Sequence, residues 1–94
     1  WQGRGMSNTK GARALRAWLD KQKARGLTAA AWARSIDVDK RTINNWTQGR
    51  ALPSILMRRL IEVATRGAVP ASLWTTDEER RIEQVIARLE KEAA

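Results

Sequence analysis

The chain has 94 residues, 18 Lys or Arg against 10 Asp or Glu for a net charge of +8, five Trp, and no Cys, His, Phe or Tyr. That length holds one small core; without Cys there is no disulfide or thiolate metal site, and without His the commonest general base and metal ligand is missing, so neither catalysis nor a metal or cofactor is expected. No apolar run approaches the roughly 20 residues a bilayer helix needs and no basic-then-apolar leader opens the chain, so a soluble cytoplasmic protein with no membrane partner is expected.

Trp1 to Gly5 lack periodicity and precede Met6, so residues 1–6 read as a leader left by cloning (Trp1 to Gly5) followed by the natural start at Met6. Residues 7–74 are expected to form the folded domain and residues 75–94 a C-terminal helix. Ser7 to Gly11 are polar and are expected to lie outside the first helix. From residue 12 to 25 the chain reads as a basic amphipathic helix, with Leu15, Trp18 and Leu19 at i, i+3, i+4 spacing and Gly26 as its stop.

Thr28 is suited to cap a second helix running to about Ile36, with Trp32 and Ile36 on one face and the small Ala33 where a neighbour must approach closely. Asp37 falls where the chain must turn sharply, and Asp tolerates the left-handed conformation better than most residues. Asp39 then caps a third helix that runs to about Gln48, buries Ile43 and Trp46 and stops at Gly49. Its other face carries Lys40, Arg41, Asn44 and Asn45. A helix that opens with two cations and carries amides a turn later is equipped to read base edges in a DNA major groove.

Pro53 is placed in the first turn of a fourth helix over residues 54–65, whose Ile55, Leu56, Leu60, Ile61, Val63 and Ala64 are expected to supply core. Gly67 and Pro70 punctuate, and Trp74 is placed to close the bottom of the domain. Thr76-Asp77-Glu78-Glu79 has the form of a capping box and opens a charged helix to about Glu92 with the stripe Ile82, Val85, Ile86 and Leu89. The narrow stripe is read as a dimerisation seam, against the alternative that it folds back on the domain. With no β-type alternation anywhere, the fold class is all-α.

The charge is unevenly placed. Residues 1–50 hold eleven Lys or Arg and three acids, whereas residues 51–94 hold seven of each, so the whole +8 lies in the half with the two short helices. Such a distribution fits a polyanion, because neutralised phosphates release counterions. Lys40 and Arg41 sharpen this, since cations in a first turn oppose the helix dipole and stability alone favours acids there. Trp18, Trp32 and Trp46, at helical spacing among aliphatic neighbours, read as core and not as a stacking platform for single strands.

The landmarks Leu27-Thr28, Ala33, Ile36, Val38, Thr42-Ile43, Trp46, Gly49-Arg50 and Leu52-Pro53 carry a resemblance, over Leu15 to about Trp74, to lambda-repressor-like, Cro/repressor-type helix-turn-helix proteins. The segment Ala64 to Trp74 is similar to the end of phage Cro-like or YdaS-like regulators. The resemblance implies a helix-turn-helix domain of four to five helices, with Lys40, Arg41 and Asn45 on bases and Asn44 flanking them. It implies phosphate contacts from Gln48 and Arg50 after the third helix and from Lys10 and Arg13 near the start of the first. Ala29 departs from the amide that opens the family's second helix, leaving Thr28 to substitute for its phosphate contact, and Asp37 replaces the usual Gly of the turn. The function implied is a sequence-specific double-stranded DNA-binding regulator, a repressor of phage or prophage type, in the cytoplasm of a bacterial or phage-infected cell. It would bind a pseudo-palindromic operator as a homodimer. The alternative is an assembly or adaptor module, such as a DNA-packaging small subunit or an antitoxin whose last helix holds a protein partner.

Overall fold

In the computed structural model, the residues described are 9–93; the leader expected at residues 1–6 lies outside them. Among the described residues there are five α-helices, one 3-10 helix and no strand. The order is α1 (Lys10–Ala24), α2 (Ala29–Ser35), α3 (Lys40–Thr47), α4 (Ile55–Ala64), a 3-10 helix (Ala71–Trp74) and α5 (Asp77–Ala93). The all-α class is as expected from the sequence.

Every α-helix starts on a short polar side chain that satisfies an otherwise orphaned backbone N–H. Thr9 Oγ1 accepts from Ala12, Thr28 Oγ1 from Ala31, Asp39 Oδ1 from Arg41 and Ser54 Oγ from Met57, at 2.8–3.2 Å. Thr76 and Glu79 form the anticipated capping box: the Glu79 N–H donates to Thr76 Oγ1 at 3.1 Å, and the Thr76 N–H donates to Glu79 Oε1 at 3.0 Å.

The first four helices end alike, each in a Schellman arrangement. In α2, for example, the Val38 N–H donates to Ala33 O at 2.9 Å and the Asp37 N–H to Arg34 O at 3.2 Å. The residue that swings left-handed is Gly26 after α1, Asp37 after α2, Gly49 after α3 and Arg66 after α4. Asp37, at φ 60°, takes the conformation expected of it, and the α2–α3 turn closes without glycine.

The core draws on every segment but α5. Leu15 and Leu19 of α1, Trp32 and Ala33 of α2, Ile43 and Trp46 of α3, Ile61 of α4, then Val69 and Trp74 are all buried. Trp18 is half-buried and meets Trp32 at a centroid distance of 5.1 Å, tilted by 59°. Ala33 is buried, as its small size at the helix crossing suggested. Trp74 closes the domain from below, lying against α1 and α4. Its indole Nε1 is buried without a hydrogen-bond partner among the described residues.

Three expectations are corrected. First, α1 begins at Lys10, not residue 12: Thr9 caps it, and Gly11 is buried because a Cβ there would meet the Trp74 ring at 2.3 Å. Second, Pro53 precedes the Ser54 cap instead of occupying the first turn, and its carbonyl accepts from Arg58 Nε at 2.9 Å. Third, Ile55, Leu56 and Val63 are not core; they are 70%, 75% and 66% exposed. The inward face of α4 is carried by Arg58, Ile61 and Thr65, which lie roughly opposite them at about 100° per residue. Between α4 and α5, Ala71–Trp74 coils into a 3-10 turn that delivers Trp74 to the core.

α5 has no buried residue. It is held at its first turn, where Arg58 and Glu79 pair at 2.9 Å, and then projects away from the domain instead of folding back. The molecule measures 53 × 34 × 19 Å with a radius of gyration of 15.3 Å. A compact chain of this length has about 12 Å.

Candidate nucleic-acid interface

α3 is a two-sided helix. Ile43 and Trp46 anchor it inward, and Lys40, Arg41, Asn44, Asn45 and Gln48 share the outward arc. Lys40 and Arg41, the first two residues of the helix, are exposed. The Asp39 carboxylate beside them accepts the Arg41 N–H at 2.8 Å, which offsets the unfavourable placement of two cations against the helix dipole. Asn44 and Asn45 are half-buried at the middle of the arc.

Arg50 ties the far end of this face together. Its Nε donates to Asn45 Oδ1 at 3.1 Å, and its NH1 donates to Gln48 Oε1. The left-handed Gly49 makes this possible by turning the chain so that Arg50 returns over the last turn of α3. One consequence is that the Asn45 amide is oriented before any ligand arrives, with its NH2 group left to donate.

The remaining candidates fall around α3. Thr28 is exposed at the start of α2, where its oxygen accepts from Ala31 and its hydroxyl hydrogen remains available to donate. Lys10 and Arg13 are exposed in the first turns of α1.

An open groove between α1 and α3 adds residues that sequence reasoning left without a role. Arg16, Asp20 and Lys23 of α1 line it together with Asn44 and Gln48 of α3 and Ala29 of α2. Arg16, Asp20 and Lys23 follow i, i+4, i+7 spacing on the flank of α1 beside the buried Leu19. That spacing is visible in the sequence. What it does not give is the packing of α1 against α3, which turns this flank toward the amides.

The dimerisation candidates Ile82, Val85, Ile86 and Leu89 are brought together on one face of α5, between 39% and 52% exposed. Among the described residues no group of His, Cys, Asp or Glu is arranged to hold a metal ion, and no helix is long and apolar enough to cross a membrane. No known family, curated protein or solved structure matches the chain.

Proposed function

We infer that this protein is a non-catalytic, sequence-specific double-stranded DNA-binding regulator built on a lambda-repressor-like helix-turn-helix domain, acting as a repressor on a two-half-site operator. The observation that carries this reading is α3 itself: a helix anchored by Ile43 and Trp46 that presents Lys40, Arg41, Asn44 and Asn45 outward from the basic half of the chain. Arg and Lys match the O6 and N7 acceptors of guanine, and an Asn amide matches N6 and N7 of adenine. Lys40, Arg41 and Asn45 read bases, with Asn44 beside them. Thr28, Gln48, Arg50, Lys10 and Arg13 hold phosphates, and Arg16 and Lys23 extend that basic margin along α1.

Fluorescence anisotropy of labelled duplexes across a salt series tests the reading. Binding to duplex DNA should weaken steeply and linearly in log salt as counterions are released. Absence of binding at low salt contradicts it.

A further inference from the structure

The apolar stripe of α5 has two edges of opposite charge. At about 100° per residue, Glu83 and Glu90 lie together on one side of Ile82, Val85, Ile86 and Leu89, and Arg81 and Arg88 lie together on the other, where Glu92 follows at the end of the helix and meets Arg88 at 3.9 Å. All four charged residues are exposed. The stripe is the large apolar surface of this helix, and among the described residues nothing covers it.

Symmetry decides what such a helix accepts as a partner. In a parallel two-fold pair the axis runs along the helices, so the acidic edge of one copy meets the basic edge of the other on both sides of the seam. In an antiparallel pair the axis is perpendicular to the seam, so acid meets acid and base meets base. Like charges in that position are destabilising and opposite charges set orientation.

We propose that α5 pairs in parallel with α5 of a second copy of this chain, seating Ile82, Val85, Ile86 and Leu89 against their counterparts and the Glu83/Glu90 edge of each helix against the Arg81/Arg88 edge of the other. The proposal gives geometry to the homodimer that a two-half-site operator calls for, and so rests on the preceding reading. At the N-terminal end the stripe gives way to Glu78, so pairing starts at Ile82 and the helices diverge toward their domains. From Ile82 to Leu89 is little more than one heptad, so the pair is weak by itself. It forms in free solution at high micromolar concentration, and two domains held on neighbouring half-sites strengthen it through their effective concentration. Parallel pairing also leaves both domains at the same end of the seam, where one duplex serves both.

The absence of Cys from the sequence makes orientation directly readable. Leu89→Cys is made in the full chain and oxidised without DNA at high micromolar concentration, beside an equimolar mixture of Ile82→Cys and Leu89→Cys chains. In a parallel pair residue 89 faces its twin and cross-links. In an antiparallel pair centred on the stripe the two copies of residue 89 stand about 10 Å apart along the axis, and 82 faces 89 instead. The proposal expects the Leu89→Cys homodimer in at least about tenfold excess over the 82–89 product. A dominant 82–89 product, or no cross-link of either kind, overturns it. Leu89 is half-exposed, so its loss does not threaten folding. As a second readout at the same high micromolar concentration, Glu83→Arg/Glu90→Arg chains and Arg81→Glu/Arg88→Glu chains should each sediment as monomers and associate when mixed; failure to associate on mixing also overturns the proposal. Because these measurements contain no DNA, the pairing and the DNA-binding reading fail separately.

Discussion

Arg58 and Glu79 form a two-point ion pair, NH1 to Oε1 at 3.0 Å and NH2 to Oε2 at 2.9 Å, that fastens the first turn of α5 to α4. The Arg58 side chain is 6% exposed and that of Glu79 34%. With Arg58 Nε given to Pro53 O, the buried guanidinium is satisfied on three sides. Glu79→Gln keeps the shape but leaves the cation without its counter-charge. The expected cost is about 1–3 kcal/mol in urea unfolding, at the lower end because Glu79 is partly solvated. Thr76→Ala, which removes only the cap, should cost about 1 kcal/mol.

The same pair sets a pH dependence. The Arg58 hydrogen bonds, then the Thr76 N–H, hold the Glu79 carboxyl below its ordinary value of 4.5. A carboxyl lowered on folding stabilises the fold at every pH above its unfolded value. Its contribution is therefore complete at neutral pH and is lost as pH falls from 4.5 through the lower folded value. Acid unfolding of the wild type should show this step, and Glu79→Gln should flatten it.

Gly11→Ala tests the closure of the domain. Ala is favoured over Gly in a helix by about 1 kcal/mol, which alone predicts stabilisation. The added Cβ would stand 2.3 Å from Trp74 Cδ2, however, and overpacking of this kind costs about 1–3 kcal/mol or more. The clash outweighs the propensity, so the midpoint of thermal unfolding should fall and the Trp fluorescence should shift.

Much of the fold was legible because local chemistry announces it. Thr28, Asp39 and Thr76 mark helix starts, Gly26 and Gly49 mark stops, and Asp37 takes the strained turn as its side chain permits. The errors came where a local pattern does not contain its tertiary partner. Ile55, Leu56 and Val63 look like core, but α4 is packed through Arg58 instead, and only the fold reveals that an arginine lies inward because Glu79 reaches it. Gly11 read as lying outside the first helix because Trp74, which packs on it, is 63 positions away in sequence. The outward arc of α3 followed from periodicity alone, whereas Arg16 and Lys23 joined it only through the packing of α1.

Arg50 is expected to act on two things at once. Arg50→Ala removes a phosphate contact, which should weaken binding to all sequences and reduce the salt slope by about 1. It also frees Asn45, so discrimination at the base that Asn45 reads should fall as well. Lys10→Ala, in the first turn of α1, should show the first effect without the second.

Ile86→Asp separates folding from assembly. The residue is 49% exposed, so stability should stay within about 0.5 kcal/mol of wild type. Binding to a duplex with two half-sites should fall to the level of a single half-site, as read by anisotropy with the two duplexes side by side.

The central claim, that α3 reads sequence, is tested most directly by selecting bound sites from a random duplex library with wild-type and Arg41→Ala protein. The account predicts a pseudo-palindrome with half-sites about 34–36 Å apart for the wild type, and a loss of preference confined to one base pair of each half-site for Arg41→Ala. Enrichment of no sequence by the wild type, or an unchanged motif with Arg41→Ala, would contradict it.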